Sequence, residues 1–525
     1  MYAPVLRAGS LRLARRSAST GLKYEALAVG VPKETFPLEK RCAASPTSVA
    51  LLGKNGVGEV LIEDGAGIGA SYSNAAYEAA GAKIVSAQEA YNADVVLKLR
   101  PPSLEEAGSL KPKNTLISFI QPGQNEDLVT TLAKDKHTVL AMDCIPRTLS
   151  RGQTYDALSS QAHISGYRAV VEASTEFGRF FAGQMTAAGK VPPAKVLVLG
   201  GGVAGLAAVQ TAKNMGAVVR GFDVRAAAKE QVESMGASFL EVDFQEDGSA
   251  AGGYAKEMSA EWHAAAREML LKQCGEVDVV VTTALIPGRK APVMIDEEMV
   301  KAMGSGSVTV DLAAEAGGNV ATTVADQKIV TENGVICLGY TDLPSRLART
   351  STDLYANNIT KFFLSAGPFT TKVADEFLID HEDEAVRPML VLDQGKSTWP
   401  YTPPPPPVVE TVQEAVEEVV EEAPPPDPYQ EYLLAARNAS IGSAVFMGLG
   451  SGVQPPILAT FCLSTVIGYY TVFGVAPALH SPLMAVTNAI SGMTAVGGLS
   501  LVGGGVLPST SAQVLGATAT AISTK

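Results

Sequence analysis

The sequence contains no Asp, Glu, Lys or Arg between Arg437 and the terminal Lys525, and the one histidine in that stretch is His480. Ionisable side chains are costly in hydrocarbon, so a long segment without them is typical of membrane-embedded helices. Small residues, which are frequent here, let membrane helices pack closely. The candidate helices are Ile441–Val453, Ile457–Val475, His480–Val502 and the shorter Ser511–Thr524. We therefore predict an α-helical transmembrane segment at 438–524, with three helices and a partial fourth.

The remainder of the chain is rich in charged residues, and the whole sequence of 525 residues carries a net charge of −13. An acidic protein repels phosphate backbones, which argues against nucleic acid as a partner. Next to the apolar segment, Pro403–Pro407 and Pro424–Pro426 flank a stretch that contains six Glu. Polyproline is semi-rigid, so 401–430 is predicted to be a linker, with a short amphipathic helix in its middle as the alternative.

The first 24 residues carry five basic side chains and no acidic one, with serines and leucines between them. An amphipathic, basic and acid-poor N-terminus is typical of an organelle transit peptide. We predict a mitochondrial transit peptide at 1–24, and hence a multi-pass protein of the mitochondrial inner membrane. The alternatives are a location in a plastid membrane, or a basic N-terminal tail that is not a targeting signal.

Short apolar, β-branched runs alternate with Ala-rich stretches from Tyr24 to about Pro400. Alternation of this kind favours parallel sheets joined by crossover helices. The runs are Asp94–Leu99, Thr115–Ile120, Val196–Leu199, Val277–Thr282 and Val308–Leu312. The fold class of this part of the chain is therefore α/β.

One apolar run leads directly into the glycine pattern G-x-G-x-x-G. The strand at Lys195–Leu199 is followed by Gly200, Gly202 and Gly205, and a helical stretch, Val203–Met215, comes next. In a dinucleotide-binding turn the first glycine permits the tight turn, the second lets the backbone approach the diphosphate, and the third allows close helix–strand packing. The diphosphate binds at the helix N-terminus, where unpaired N–H groups and the helix dipole favour negative charge. We predict a Rossmann dinucleotide-binding domain.

An acidic residue ends the next predicted strand. Val218–Phe222 is followed by Asp223, at the distance from the glycine turn where a carboxylate hydrogen-bonds the adenosine ribose 2′-OH. A carboxylate repels the 2′-phosphate of NADP, so NAD(H) is the predicted cofactor. Arg225 could instead bind that phosphate, but the neighbouring Asp223 makes this the less favoured interpretation.

Several further segments resemble the alanine dehydrogenase/nicotinamide nucleotide transhydrogenase superfamily, and specifically its proton-translocating transhydrogenases. These segments are Gly30–Glu34, Glu39–Arg41, Val96–Pro101, Asp156–Ser160, Gly166–Ala169, Gly252–Met258, Thr283–Gly288, Leu343–Arg346, Pro477–Met484 and Thr487–Gly492. The resemblance implies two Rossmann-like doubly wound parallel-sheet domains ahead of the membrane segment. The N-terminal domain would span 25–165 and be completed by about 345–395, and the NAD(H)-binding domain would span 166–344.

The resemblance also implies an activity. The chain would be the NAD(H)-binding subunit of an enzyme that transfers hydride from NADH to NADP+ and couples the transfer to proton translocation. Because only one fingerprint of this kind is present, NADP(H) would be bound by a partner, a beta-type subunit with further membrane helices. A homodimer of the NAD-binding head would be expected as well.

A set of site residues follows from the same resemblance. In the family an Arg, a Gln and an Asp on one loop fold over the nicotinamide and its ribose. The similar positions are Arg147, Gln153, Asp156 and Ser159, with Thr148 and Leu149 beside them. One extra residue between the Arg and the Gln leaves open whether Arg147 or Arg151 fills the Arg role. The other expected cofactor contacts are Val203, Val224, Arg225, Gly253, Leu285 and Tyr254, the last on a mobile loop.

Hydride transfer needs alignment and exclusion of water rather than a general acid or base, and the sequence offers no metal-ligand cluster. Two other functions remain open. Alanine dehydrogenase chemistry is suggested by Arg41 and Lys98, which resemble substrate-carboxylate ligands, although Thr115–Asn125 lacks the histidine that such an enzyme needs. A non-catalytic assembly subunit that retains NAD binding is the other alternative. His480 is a candidate proton relay, because it is the one histidine of a membrane segment that has no Asp, Glu, Lys or Arg.

Overall fold

The computed structural model describes residues 22–147, 149–244, 258–285, 290–366, 376–377, 379–381 and 383–401. Internal contacts divide the chain into Met1–Pro404 and Pro405–Lys525. The second unit lies outside the described residues, and with it most of the predicted linker, the membrane helices and His480. No helix within the described ranges combines the length and the apolar character that a bilayer crossing needs.

Strands and helices alternate in the first part of the fold. Its strands are β1 (Leu22–Lys23), β2 (Ala28–Val31), β3 (Glu59–Glu63), β4 (Lys83–Val85), β5 (Val95–Leu97), β6 (Thr115–Ser118) and β7 (Thr138–Ala141). Its helices are α1 (Pro46–Lys54), α2 (Asn74–Ala79), α3 (Ala87–Tyr91), α4 (Leu104–Ser109) and α5 (Glu126–Lys134). Ser45, Ser86 and Ser103 begin three of these helices with capping boxes, since each hydroxyl accepts from a first-turn N–H that has no partner inside the helix.

The middle of the chain forms a second alternating set. Its strands are β8 (Gln184–Thr186), β9 (Gly189–Val191), β10 (Lys195–Leu199), β11 (Val218–Phe222), β12 (Ser238–Phe239), β13 (Val279–Thr282), β14 (Val308–Asp311), β15 (Lys328–Val330) and β16 (Ile336–Leu338). Its helices are α6 (Ala157–Glu176), α7 (Val203–Asn214), α8 (Ala227–Ser234), α9 (Ala260–Cys274) and α10 (Glu297–Ala302).

The chain then returns to the first part. The returning elements are α11 (Ala348–Ala366), β17 (Glu376–Phe377), β18 (Leu390–Asp393) and β19 (Lys396–Ser397). Strand β18 pairs antiparallel with β7, and β17 pairs antiparallel with β1. Tyr24 directly after β1 is only 5% exposed, so the last residues of the predicted transit peptide are packed into the fold.

Two large sheets result, and their parallel strands are arranged in the same order. The first runs β19-β18-β7-β6-β5-β2-β3-β4, and the second runs β12-β11-β10-β13-β14-β16-β15. In each sheet the six parallel strands follow the Rossmann order 3-2-1-4-5-6, with antiparallel strands added at one edge. The predicted pair of Rossmann-like parallel sheets is therefore confirmed.

This order places a crevice at the carboxyl ends of the strands where the direction of winding reverses. In the first sheet the reversal lies between β2 and β5, and in the second between β10 and β13. Ligands of open α/β sheets bind at such points. The side chains of Val196–Leu199 on β10 are each no more than 1% exposed, as expected for a strand covered by helices on both faces.

Helices α6 and α7 meet at backbone level beside the second crevice. A Cβ added to Gly166 of α6 would lie 1.9 Å from the carbonyl oxygen of Ala204, in the first turn of α7. No side chain fits in such a gap, so glycine is required for this approach. The contact fixes α6 directly against the start of the helix that follows the glycine turn.

Candidate functional site

The glycine turn of the second sheet has a conformation that only its own residues allow. Gly200 directly follows β10 and has φ +110, a region that side chains other than glycine rarely adopt. A Cβ there would also lie 2.3 Å from Oγ1 of Thr283, which donates a hydrogen bond to the carbonyl of Leu199 at 3.1 Å. Leu199 ends β10 and Thr283 follows β13, so this hydrogen bond links the two strands on either side of the crevice.

The other two glycines differ sharply in the space around them. A Cβ on Gly205 would lie 1.7 Å from the carbonyl oxygen of Gly200, whereas a Cβ on Gly202 would meet nothing within 4 Å. Gly202 is the N-cap of α7 and, as a glycine, provides no side-chain cap for that helix. The first-turn N–H groups of α7 have no partner inside the helix, and the space beside Gly202 at the same turn is open, as an anion site requires. Val203 at this turn is 39% exposed.

Asp223, at the end of β11, contacts the glycine turn. Its Oδ2 accepts a hydrogen bond from the N–H of Gly201 at 2.6 Å. Its two oxygens also accept from Nε and Nη2 of Arg225, both at 2.9 Å, and Oδ1 accepts from the N–H of Arg225 at 2.8 Å. Burial alone would raise the pKa of Asp223, but the hydrogen bonds and the positive charge of Arg225 outweigh it and lower that pKa.

The sequence predicts Asp223 as a ribose ligand, but it does not predict the hydrogen bonds that Asp223 accepts from Gly201 and Arg225. The Asp223 side chain is 8% exposed, and Arg225, at 24%, lies over it as a fork-shaped partner. The guanidinium is thus committed to the carboxylate. Val224, between the two, is partly buried against the core of the second sheet.

The loop after β13 forms the other wall of the crevice. Leu285 on this loop is 53% exposed. The loop is held by Asn319, whose Nδ2 donates to the carbonyls of Ala284 and Pro292, both at 2.8 Å, and whose Oδ1 accepts from the N–H of Ala284 at 3.1 Å. Asn319 itself is fully buried. No motif in the sequence pointed to this residue, because its role depends on contacts with a distant loop.

The residues expected at the nicotinamide lie just before α6. Asp156 caps that helix, since its carboxylate accepts from the N–H of Ser159 at 2.8 Å and from the Ser159 hydroxyl at 2.6 Å. Nε of Arg147 lies 3.8 Å from Oδ2 of Asp156. Gln153 is exposed on the short 3-10 turn Gly152–Tyr155 that leads into the cap. Three of the four expected residues therefore adjoin one another, and Gln153 flanks them.

Arg151, the competing arginine, has a different partner. Its guanidinium is hydrogen-bonded to the carboxylate of Asp383, far along the chain. The loop is also fixed to α11, because Nδ2 of Asn358 donates to the carbonyl of Thr154 at 2.9 Å. Leu149 is partly buried against the core of the first sheet. Thr148, Gly253 and Tyr254 lie outside the described residues.

The crevice of the first sheet is filled by buried charges of both signs. Lys98, after β5, is 1% exposed and lies 3.2 Å from Glu34 and 3.0 Å from Glu106. Burial would lower the pKa of Lys98, but the two carboxylates outweigh it and raise that pKa. Residues Lys98 and Glu106 thus belong to an internal ion cluster.

Glu39 binds two arginines of this crevice, Arg41 and Arg100. Its carboxylate accepts from Nε and Nη2 of Arg41 at 2.7 and 2.6 Å, and from Nε of Arg100 at 3.0 Å. The Glu39 side chain is completely buried. Burial acts to raise its pKa, but the hydrogen bonds and charges of both arginines lower it to about 2. The two cations that resemble substrate-carboxylate ligands, Arg41 and Lys98, are both occupied by carboxylates of the protein.

Three family models match the chain. Residues 30–165 match "Alanine dehydrogenase/PNT, N-terminal domain", and residues 169–400 match "Alanine dehydrogenase/PNT, C-terminal domain". Residues 457–525 match "4TM region of pyridine nucleotide transhydrogenase, mitoch". The first match covers most of the first sheet, the second covers the second sheet together with the returning elements α11 and β17–β19, and the third covers part of the charge-free segment.

Individual relatives give the same picture. NAD(P) transhydrogenase subunit alpha of Haemophilus influenzae is 47% identical over 90% of this chain and 91% of its own. A solved transhydrogenase structure from Sinorhizobium meliloti, 38% identical, superposes with a TM-score of 0.64 over 70% of this chain and 99% of that one. Alanine dehydrogenase of Bacillus subtilis is more distant, at 30% identity over 63% of this chain and 82% of its own.

Proposed function

The chain belongs to the family of NAD(P) transhydrogenase alpha subunits, and on this premise we propose that it binds NAD(H) and passes hydride to NADP+ held by a beta-type subunit. Hydride would move from the reduced nicotinamide ring held by this chain to the oxidised ring held by the partner. The transfer would be coupled to proton translocation through membrane helices that include the 4TM region at 457–525.

The observation that carries the proposal is the open space at Gly202. A methyl group there would meet nothing within 4 Å, while the flanking Gly200 and Gly205 are closely packed. Gly202 is the N-cap of α7, so the first turn of that helix, whose N–H groups have no partner within the helix, begins beside this space. A diphosphate matches the space in charge and in hydrogen-bonding character, since it accepts from backbone N–H groups and is stabilised by the helix dipole.

Asp223 supports NAD(H) as the cofactor on this chain. Its carboxylate lies beside Gly201 in the turn, where the adenosine ribose of a bound dinucleotide would lie. A 2′-phosphate would meet this carboxylate, and Arg225 would have to leave Asp223 in order to bind it. We therefore assign NADP(H) to the partner, with Val224 and Leu285 lining the adenosine end here.

Arg147, Gln153, Asp156 and Ser159 would orient the nicotinamide and its ribose. Arg147 is 42% exposed and adjoins Asp156, so it is our choice for the loop arginine over Arg151. None of these groups needs to exchange a proton with the substrate, because hydride transfer depends on the alignment of two rings in a site closed to water. Thr148, Leu149, Gly253 and Tyr254 remain predicted contacts.

The assembly is proposed on the same basis. A partner with the NADP(H) site, a homodimer of the NAD-binding head and a mitochondrial inner-membrane location would complete the enzyme. The basic N-terminus supports the mitochondrial address. His480 stays a predicted proton relay, because it is the one histidine between Arg437 and Lys525 and no Asp, Glu, Lys or Arg lies there.

Co-expression tests this function. The full chain would be produced with and without a beta-type subunit, and membranes would be supplied with NADH and thio-NADP+, whose reduced form has its own absorbance. We expect thio-NADPH to form only when both subunits are present, together with a pH change inside sealed vesicles. Retained NADH binding without any transfer would instead support the non-catalytic assembly subunit.

Alanine dehydrogenase chemistry is the weaker alternative. Its substrate would need free cations in the crevice of the first sheet. Arg41 is bound by Glu39 through two hydrogen bonds and also donates to Gln161 at 2.9 Å, and Lys98 lies between two carboxylates. An incoming carboxylate would have to displace these buried partners, which is costly.

A further inference from the structure

Arg151 and Asp383 form an ion pair between segments that are 232 positions apart. The Asp383 side chain is 6% exposed, while Arg151 is 46% exposed. The pair therefore joins a buried anion on the returning part of the chain to an arginine on the loop that precedes α6.

Asp383 is held rigidly by its own turn. Its Oδ1 accepts from the N–H of Ala385 at 2.8 Å, and its carbonyl accepts from the N–H of Arg387 at 2.8 Å. Ala385 and Val386 are 2% and 0% exposed, so the turn is anchored in the core of the first sheet. This leaves Oδ2 of Asp383 as a fixed acceptor for a guanidinium.

The other end of the pair lies on the proposed nicotinamide loop. Arg151 immediately precedes the 3-10 turn Gly152–Tyr155, whose next residue is Asp156. The far side of that turn is fixed to α11, since the Tyr155 hydroxyl and the Ser365 hydroxyl are 2.5 Å apart. The turn is thus held at both ends, by Asp383 on one side and by α11 on the other.

We propose that Asp383 is a positioning residue for hydride transfer, because it binds Arg151 and so leaves Arg147 as the guanidinium beside Asp156. This inference rests on the proposed function. The ion pair holds this loop at Arg151, four positions after Arg147. Displacement of a reacting group by about 1 Å can cost up to roughly 100-fold in rate, so a loosened loop is expected to lower turnover.

Full-length variants co-expressed with the beta-type subunit test the inference. In Asp383→Asn and Arg151→Gln we expect kcat for thio-NADP+ reduction to fall about tenfold. Binding of ADP-ribose, which lacks the nicotinamide, should be unchanged. Arg151→Lys, which keeps a cation for Oδ2 of Asp383 and leaves the Asp383 turn intact, should recover most of the kcat that Arg151→Gln loses.

Arg267→Gln is the matched control. Arg267 is 48% exposed and is paired with Asp296 at 2.8 Å, an ion pair between α9 and the start of α10 that involves no residue of the loop before α6, so its loss should leave kcat unchanged. Normal kcat in Asp383→Asn, with an active wild type, would overturn the positioning role alone. So would a loss of turnover that follows the loss of folded protein, with kcat per folded molecule unchanged. A wild-type complex without transfer would overturn the proposed function, and the inference with it.

Discussion

The carboxylate of Asp223 is bonded to the glycine turn itself, because its Oδ2 accepts from the N–H of Gly201 at 2.6 Å. One side chain therefore shapes the turn and faces the proposed ribose site. The same oxygen accepts from Nη2 of Arg225 at 2.9 Å. Any substitution of Asp223 is thus expected to act both on the cofactor and on the loop that receives it.

Asp223→Ala should weaken NADH binding roughly 10- to 100-fold, since hydrogen bonds to a charged group contribute about 1.5–3 kcal/mol. Fluorescence titration with NADH measures this. Asp278→Ala is the control, because Asp278 accepts from the N–H of Lys195 at 2.8 Å at the opposite end of β10. Equal NADH affinity in Asp223→Ala and wild type would remove Asp223 from the site.

The same added methyl group should have opposite effects at two glycines of the turn. Gly202→Ala should fold normally and lose NADH binding, because its Cβ meets no protein atom within 4 Å and occupies the proposed diphosphate space. Gly205→Ala should be destabilised by about 1–3 kcal/mol, because its Cβ would lie 1.7 Å from the Gly200 carbonyl. Thermal unfolding and NADH titration separate the two outcomes. Tight NADH binding by folded Gly202→Ala would contradict the assigned position of the diphosphate.

Acid should weaken the first sheet through Glu39. Its pKa is lowered from 4.5 to about 2 in the fold, so its ionised form stabilises the protein above pH 4.5, and that stabilisation is lost as the pH falls towards 2. The lowered pKa corresponds to about 3 kcal/mol. Urea unfolding of wild type and Glu39→Gln should differ most near neutral pH and converge in acid. If the difference in unfolding free energy between wild type and Glu39→Gln did not change with pH, ionised Glu39 would not be the source of the stabilisation. Glu297→Gln, at an exposed position, is the control and should match wild type at both pH values.

L-Alanine and NAD+ should give no NADH with the full chain. Arg41 and Lys98 are neutralised by Glu39, Glu34 and Glu106, so no free cation of this set is available to hold an amino-acid carboxylate. Absorbance of NADH measures the reaction, and the Bacillus subtilis alanine dehydrogenase serves as the positive control. Steady NADH formation would mean that the crevice of the first sheet binds an amino-acid substrate, contrary to this prediction.

Local patterns predicted much of the fold. The strand Val218–Phe222 is observed as predicted, and the helix expected at Val203–Met215 is observed at Val203–Asn214. The run Thr115–Ile120 is a shorter strand, Thr115–Ser118, and beyond it the N–H groups of Ile120 and Gln121 donate to the carboxylate of Asp143 rather than to a strand. The family expected from the motifs is confirmed by the relatives.

The candidate site was only partly predictable. The glycines and Asp223 lie in a short, ordered pattern, and that pattern identified them. The pairing of Arg151 with Asp383 joins positions that only the folded chain brings together, and the same holds for Asn319 and the loop that it fixes. Side chains of this kind act through geometry alone, so no spacing in the sequence indicated them.

The contact between Gly166 and Ala204 makes α6 and α7 one stiff unit, with the proposed nicotinamide loop at one end and the proposed diphosphate turn near the other. From the cap of α6 at Asp156 to Gly166 is ten residues, or about 15 Å of helix. The length of this unit is therefore expected to fix the distance between the proposed nicotinamide site and the proposed diphosphate site. On this proposal, Gly166 would set the distance between the phosphates and the transferable hydrogen without itself contacting the nucleotide.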